Sequence, residues 1–245
     1  MLRQFIKVSN AYQWLPLQVS AEYKQYNNFS YLQHDTTILN GEFFVKKDGL
    51  YIKFGQLEQI VNDSMALVVM GQIKQMVLSE NDTPIEVYLK SKVNRPLKDT
   101  SLNAVFKMYS IQKTHIGNQD EIELMNRNTL FNTNLPLEVI RLRYDPDKEV
   151  PENVTTIKRQ LIKVLTEDIK DSATLAYLSN PGIKQIEIKG KGTFVIKEDI
   201  AEYIFKHITH EDKLTLPVVI TDRISKNEQG EFIPVKAYES YFLSQ

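Results

Sequence analysis

The strongest signal for the fold is the stretch Phe43-Phe-Val-Lys-Lys-Asp-Gly-Leu-Tyr-Ile-Lys-Phe54, in which two β-patterned runs flank the dipeptide Asp48-Gly49. Asp-Gly is typical of a two-residue type I′ hairpin turn. Such a turn sets a register with three opposed pairs: Lys47 with Leu50, Val45 with Ile52, and Phe43 with Phe54. In that register Val45, Ile52 and both phenylalanines share one apolar face, and the other face is half polar.

Further β-patterned runs recur through the first 150 residues, at 65–78, 85–89, 104–111 and 137–142. The run Ile85-Glu-Val-Tyr-Leu89 alternates apolar and polar positions, as a strand with one buried face requires. The run at 65–78 fits either a long strand or a buried helix. Short strands at this spacing favour an antiparallel sandwich or an open barrel.

The pattern changes at Arg141-Leu-Arg-Tyr-Asp-Pro-Asp-Lys-Glu149. After it, apolar residues at 154, 157, 161, 164, 165 and 169 form one helical stripe, which ends at Asn180-Pro-Gly182. A hairpin around Lys189-Gly-Lys-Gly192, a second helix at about 198–208 and a last hairpin around Lys226-Asn-Glu-Gln-Gly230 follow. The predicted fold is α+β: an N-terminal arm (1–35), a β-rich sandwich or open barrel (36–150), and a region of a helix and two hairpins (151–245).

Composition excludes several classes of function. The chain has 245 residues, with 30 Lys and Arg against 31 Asp and Glu, so no global field attracts nucleic acid or an anionic membrane. It has no cysteine, which excludes disulfides and thiolate metal sites, and only 9 glycines, which argues against a phosphate-binding loop. The longest apolar run, 65–70, is too short for a membrane helix, and the N-terminus lacks the apolar core of a signal peptide. We expect neither a membrane partner nor sequence-specific binding of nucleic acid.

Two clusters could hold a metal. His207 and His210 are three residues apart and precede Glu211 and Asp212, but histidines at the end of the predicted helix are also explained by capping. The carboxylates Asp145, Asp147 and Glu149 resemble the start of a calcium loop, which here lacks the sixth-position glycine and the distal glutamate. An acidic turn is the better interpretation of the carboxylates. With no catalytic motif either, the sequence predicts no cofactor and no enzyme activity.

Candidate interface residues lie near both ends of the chain. The N-terminal arm mixes aromatic and amide side chains and includes Tyr12 and Trp14, and the C-terminal tail contains Tyr238, Tyr241 and Phe242. Aromatic side chains give a large contact area for little lost side-chain entropy. Such segments dock either on their own domain or on a neighbouring subunit.

The aromatic and amide arm through Tyr31, the β-rich middle with Asp48-Gly49, the Asn-rich loop at 126–134, the lack of cysteine and the terminus at Tyr241-Phe242 together resemble structural proteins of tailed bacteriophages. This resemblance implies a virion protein, made in the host cytoplasm, that forms a homo-oligomeric ring or connector in the neck or tail with other virion proteins. The alternatives are a cytoplasmic enzyme or ligand-binding protein with a pocket between the two regions, which could use His207 and His210, and a surface-recognition protein for glycans.

Overall fold

The computed structural model describes residues 2–11, 14–28, 36–85, 87, 105–131, 133–165, 172–180 and 183–245. The chain forms two compact units, each assembled from three separate segments. Unit 1 consists of Met1–Val8, Tyr23–Ile38 and Leu97–Ile204, and unit 2 of Ser9–Glu22, Leu39–Pro96 and Phe205–Gln245. The predicted junction near residues 141–151 therefore lies within unit 1, where residues 145 and 150 pair.

Most of the described chain is β-strand. The strands, in chain order, are β1 (Leu17–Asn27), β2 (Thr37–Lys46), β3 (Gly49–Phe54), β4 (Leu57–Asn62), β5 (Met65–Met70), β6 (Gln75–Glu80), β7 (Tyr109–Ile116), β8 (Gln119–Asn126), β9 (Glu138–Asp145), β10 (Val150–Lys163), β11 (Gln185–Ile188), β12 (Gly192–Thr209), β13 (Ile224–Lys226), β14 (Phe232–Pro234) and β15 (Phe242–Ser244). The helices with described bounds are α1 (Leu2–Ser9) and α2 (Ser172–Leu178), residues 105–108 are also helical, and short 3₁₀ turns occupy Gly71–Ile73, Ile220–Asp222 and Lys236–Tyr238. No helix among the described residues is long and apolar enough to cross a membrane.

Unit 2 is a sheet with apolar side chains on both faces, in the strand order β15-β6-β5-β4-β3-β2-β1. All the pairs with a defined register are antiparallel except β15 on β6, which is parallel. One face buries a cluster that includes Leu17, Val45, Leu50 and Val61. The other face buries Tyr51, Ile60, Leu67, Val69 and Met76 beneath the C-terminal segment from 216 to 243.

Unit 1 is an antiparallel sheet in the order β7-β8-β9-β10-β12, and β11 also pairs with β12. Strand β12 contributes residues to both units. Helix α1 covers part of one face, where Phe5 and Val8 pack against Ile122, Leu142 and Tyr144. Burial of these side chains, three of which have no exposed surface, supplies the main stabilisation of this face.

The predicted hairpin at residues 43–54 is confirmed, but its register is wrong by two positions. Val45 pairs with Leu50 and Phe43 with Ile52, so Lys47 and Asp48 form the turn. Gly49 is instead the first residue of β3, and a Cβ there would lie 2.9 Å from Leu216 Cδ1 and 3.1 Å from the carbonyl oxygen of Val61. The glycine is needed for this close packing rather than for the turn.

The predicted helix from residue 154 to Asn180 is wrong over 154–163 and the predicted helix at 198–208 is wrong, because β10 and β12 occupy these stretches as long antiparallel partners. Among its described residues, only the end of the first predicted helix is helical, as α2 (Ser172–Leu178). The apolar residues of β10 lie on both faces of the sheet: Val154 on one face, and Ile157 and Leu161 on the other. A strand that is partly buried on both faces need not alternate, and here its apolar residues fall at spacings of three and four. That spacing imitates a helical stripe.

The other predicted elements have mixed outcomes. The ambiguous run at 65–78 is the hairpin β5–β6, and the strand at 137–142 and the hairpins β11–β12 and β13–β14 are confirmed. The run at 104–111 becomes a strand only from Tyr109 onward. The predicted strand at 85–89 is wrong at Ile85 and Val87, the two of its residues that the structure describes, because both are helical; Ile85 is buried. The fold is thus β-rich and mostly antiparallel, as predicted, without the long helix.

Candidate functional site

An apolar cleft of about 560 Å³ lies at one end of the unit 2 sheet. It opens where the turn between β3 and β4 meets the 3₁₀ turn between β5 and β6. The apolar cleft is lined by eight residues from these turns and the adjoining strands: Leu39, Phe54, Gln56, Leu57, Met70, Gly71, Gln72 and Ile73. Its size is within the range of about 300–1,000 Å³ that is usual for ligand pockets.

Two glycines allow the walls of the cleft to approach each other. Gly55 has a φ of +60°, and a Cβ there would lie 3.0 Å from Leu39 Cδ2. The amide of Gly71 donates to the carbonyl oxygen of Gln56 at 2.8 Å, and a Cβ on Gly71 would lie 3.1 Å from the same oxygen. A larger residue at position 71 would press on the turn at Gln56, and one at position 55 would be strained by its positive φ and would press on Leu39, so both glycines support the shape of the cleft.

The chemistry of the cleft is apolar and uncharged. Five of its eight lining residues are hydrophobic, and the other three are Gly71 and the amides Gln56 and Gln72. Leu57, at the start of β4, and Ile73, at the end of the 3₁₀ turn, are 46% and 62% exposed. Exposed apolar side chains gathered at one concave place indicate a surface that becomes buried against a partner or ligand. The cleft has no acid, base or nucleophile for catalysis.

The C-terminal segment borders the cleft. Phe242 begins β15, where its amide donates to the carbonyl oxygen of Lys74 at 2.9 Å, directly after the 3₁₀ turn. The hydroxyl of Tyr241 lies 3.6 Å from the position that a Cβ on Gly71 would occupy. The side chain of Phe242 is 69% exposed. The C-terminal strand therefore supports the wall of the cleft and leaves one aromatic ring in solvent.

Two predicted interface residues, Tyr238 and Tyr241, pack within unit 2. Their rings are 5.0 Å apart, and the Arg223 guanidinium lies 4.9 Å from the Tyr238 ring centre. Arg223 Nε also donates to Glu58 Oε2 at 2.9 Å, in an ion pair that is nearly buried. Burial, reinforced by the Glu58 carboxylate, raises the pKa of the adjacent Tyr51 to about 12. These contacts attach the C-terminal segment to the face of the sheet.

Among the described residues of unit 2, Trp14 is the most exposed large hydrophobic residue, at 71%. Its backbone is nevertheless held, because His210 Nδ1 lies 2.9 Å from the Trp14 carbonyl oxygen and 3.0 Å from that of Pro16. Carbonyl oxygens can only accept, so this nitrogen carries the proton and donates. Tyr12, the other predicted interface residue of the arm, lies outside the described residues.

The two clusters that were considered as metal sites make other contacts. His207 is exposed on β12, and His210 is engaged by the Trp14 segment. Asp145 accepts hydrogen bonds from the amides of Asp147 and Lys148 in a turn, and Glu149 contacts Lys7 and Gln4 of α1. These contacts lower the pKa of Glu149, with Lys7 as the larger cause. Over the described ranges, no group of three or more His, Asp or Glu residues is arranged to hold a metal.

A second depression of about 690 Å³ lies beside β6 in unit 2. Its lining includes the charged residues Glu80, Asp82 and Lys226 together with serine and asparagine side chains. These groups are well hydrated in the open depression, so burying them against a partner has a high desolvation cost. The apolar cleft is therefore the better candidate site.

Comparisons with known proteins give no family assignment. No protein family matches the chain, and no curated protein matches it. Among solved structures, a LolA superfamily protein from Nitrosomonas europaea is similar with a TM-score of 0.27 and 10% identity, covering 86% of this chain and 94% of that one. The MucA/MucB complex from Pseudomonas aeruginosa gives a TM-score of 0.32 and 8% identity, covering 80% and 92%. Similarities this low carry no argument about the function of this chain.

Sequence reasoning missed the cleft residues, although a signal for them exists. The tripeptides Gly55-Gln-Leu57 and Gly71-Gln-Ile73 repeat a glycine, an amide and an aliphatic residue at two chain reversals of the same sheet. A polar residue is usual at the end of a turn. An aliphatic residue at that position in both turns points to one shared apolar surface.

Proposed function

We propose that this chain is a non-enzymatic assembly protein that binds an apolar group of a partner protein in the apolar cleft. The observation that carries the proposal is the uncharged lining, in which Leu57 and Ile73 are exposed although the turns that carry them are closely packed. The hydrophobic effect contributes about 25 cal/mol for each Å² of apolar surface that a partner removes from water. Binding of this kind needs shape and apolar contact, and no catalytic group.

The open form of the cleft supports a protein partner. A small ligand in a typical pocket has 70–90% of its surface buried. A group bound in an open cleft keeps one side in solvent unless the molecule that carries it also covers the rim. A partner protein would cover the rim, and the exposed Phe242 beside the cleft adds an aromatic contact of the kind that is enriched at interfaces.

Within this proposal, the setting is a ring or connector of a phage neck or tail, in which copies of the chain contact one another and other virion proteins. The resemblance of the sequence to phage structural proteins supports this setting. Light scattering after size exclusion tests it by giving the mass in solution. A monomer that persists at high concentration and recruits no protein from native particles would contradict it.

The binding function is tested with a neutral naphthalene-type fluorescent probe titrated into dilute protein. We expect the double variant Leu57→Gln, Ile73→Gln to raise the dissociation constant at least tenfold, because two polar amides replace the exposed aliphatic surface. The control is Ile233→Gln, since Ile233 is similarly exposed, at 41%, but lies on β14 outside the cleft. Equal affinities in the wild type, the double variant and the control would refute a binding role for the cleft.

A second candidate function is the binding of a small apolar ligand such as a lipid chain. The volume of about 560 Å³ favours it, because it is enough for a ligand of ordinary size. In that case one ligand per chain would co-purify and be released by organic solvent, and saturation with a fatty acid would leave the protein monomeric. Protein that yields no extractable ligand and binds no fatty acid at the cleft would exclude this candidate.

A further inference from the structure

We propose that the occupant of the apolar cleft is the Trp14 side chain of a second copy of this chain. The proposal rests on the proposed function, because it names the partner that the cleft binds. It pairs Trp14, the most exposed aromatic residue that the structure describes in unit 2, with the uncharged apolar cleft of the same unit. Each copy then contributes one protruding indole and one receiving cleft.

Trp14 is suited to be the inserted group. The indole is 71% exposed, while the residues that follow it are fixed. Leu15 packs against a buried cluster of unit 2, and the carbonyls of Trp14 and Pro16 accept from His210. A side chain presented on a fixed backbone loses less conformational freedom on binding. Tryptophan is also among the residues that most often dominate binding energy at protein interfaces.

The cleft is suited to receive an indole. The ring system is flat, uncharged and largely apolar, as are the contacts offered by Phe54, Leu57 and Ile73. A buried indole N–H requires an acceptor, and the side-chain oxygens of Gln56 and Gln72 provide acceptors in the cleft wall. No charged lining residue has to be desolvated. Hydrophobic burial and one hydrogen bond can therefore be satisfied together.

The indole and the cleft of one copy are separate surfaces. The residues that hold the Trp14 segment, Leu15, Pro16 and His210, are not among those that line the cleft. A copy therefore offers its indole and its cleft as two different patches, so the indole of one copy and the cleft of the next form a head-to-tail contact. Contacts of this head-to-tail type generate closed rings or open filaments.

The chain offers an internal reporter for this contact, because Trp14 is its only tryptophan. We expect its emission maximum to move to shorter wavelength as protein concentration and mass rise together, because the indole leaves water. The double variant Leu57→Gln, Ile73→Gln should lose both changes, and Ile233→Gln should keep them. A wild-type protein that stays monomeric, or that oligomerises without a change in emission, would overturn the proposal.

A mixing experiment tests the pairing itself. The variant Trp14→Ala keeps only the cleft, and the double variant Leu57→Gln, Ile73→Gln keeps only the indole. Each alone should be monomeric, whereas an equimolar mixture should form a dimer and stop there, with the emission shift restored. A mixture that remains monomeric would overturn the proposal, as would a Trp14→Ala protein that oligomerises by itself.

Failure of this inference is distinguishable from failure of the proposed function. The Trp14→Ala protein has an unoccupied and unaltered cleft, so it should bind the naphthalene probe at least as tightly as the wild type. If it binds the probe while the wild type stays monomeric, the cleft remains a binding site and Trp14 is not its occupant. If it does not bind the probe, the proposed function fails as well.

Discussion

Two hairpins, β2–β3 in unit 2 and β7–β8 in unit 1, each reverse the chain in two residues, but different forces stabilise the residues next to their turns. In β2–β3 both faces are apolar: Val45 and Leu50 are at most 1% exposed on one face, and Phe44 and Tyr51 pack on the other. Their contacts are with other parts of unit 2, including the C-terminal segment. This hairpin is held by burial, which does not depend on protonation.

In the β7–β8 hairpin, β7 is exposed from residue 112 to residue 116, whereas β8 is buried from residue 120 to residue 122. Charged side chains from both strands meet near the turn at residues 117 and 118. The Asp120 carboxylate forms an ion pair with Lys113 and accepts hydrogen bonds from His115 Nδ1 at 2.9 Å and from the Tyr144 hydroxyl at 3.1 Å. These partners, with Lys113 first, lower the pKa of Asp120 to about 2. The stability of the β2–β3 hairpin should therefore depend mainly on its apolar side chains, and that of the β7–β8 turn should also depend on pH.

The largest difference between the hairpins should come from truncating the apolar one. Leu50→Ala removes a side chain with no exposed surface, so we expect it to lower the free energy of unfolding by about 2–5 kcal/mol. Leu57→Ala is a matched control in the next strand, since Leu57 is 46% exposed and should cost well under about 1 kcal/mol. Chemical denaturation measures both. Equal losses would contradict the burial account.

Gly49→Ala tests whether this glycine serves packing or the turn. The new Cβ would press on Leu216 Cδ1, and overpacking of this kind costs about 1–3 kcal/mol. In a Leu216→Ala background the loss should shrink, because one of the two close atoms is gone. A double-mutant cycle in denaturant measures the coupling. If Gly49→Ala lowers the free energy of unfolding equally in both backgrounds, the glycine is required by the backbone around residue 49 and not by the Leu216 side chain.

Asp120→Asn should show the pH dependence that the apolar hairpin lacks. The folded-state pKa is below the ordinary value of 3.8, so the carboxylate stabilises the fold above pH 4. That contribution is lost as pH falls toward 2. We expect the variant to be about 1 kcal/mol less stable than the wild type at neutral pH, allowing for solvent screening at exposed Lys113 and His115. Thermal unfolding at pH 7 and at pH 2 measures the difference in stability between the wild type and the variant. A difference that is as large at pH 2 as at pH 7 would contradict the lowered pKa of Asp120.

The smallest effect is expected in β10, which pairs with β12, a strand far away in the sequence. Thr155 and Thr156 oppose residues 202 and 201 of β12. Replacing both threonines with alanine should destabilise a strand by up to about 1 kcal/mol, because β-branched cross-strand contacts are lost. In a helix the same change would stabilise by a few tenths of a kcal/mol. The denaturation midpoint should therefore fall if residues 155 and 156 are in a strand and rise if they are in a helix.

Local signals explain which parts of the fold could be predicted. The Asp48-Gly49 dipeptide located the β2–β3 hairpin, and an error of two positions leaves every side chain on its predicted face. The strands β10 and β12 had no such signal, because they pair with each other across 31 to 51 residues of sequence and the two-sided apolar pattern of β10 has helical spacing. Pairing with both neighbouring strands overrode that local spacing.

The candidate site was less accessible to prediction than the fold. Trp14 and Phe242 were expected at an interface from their chemistry and are exposed, which keeps that expectation open. Tyr238 was equally aromatic, but its packing depends on Arg223 and Glu58, residues 165 positions apart that only the fold brings together. The apolar cleft itself joins two turns and Leu39, so it exists only once β2 to β5 are aligned.

The most direct test of the central claim locates binding at the apolar cleft. The chain has no cysteine, so the thiols of the variants Ile73→Cys and Ile233→Cys can be alkylated one at a time. Saturating naphthalene probe should slow the reaction at position 73 at least tenfold and leave position 233 unchanged. Equal rates at position 73 with and without bound probe would show that the apolar group binds elsewhere, and would contradict this account of the cleft.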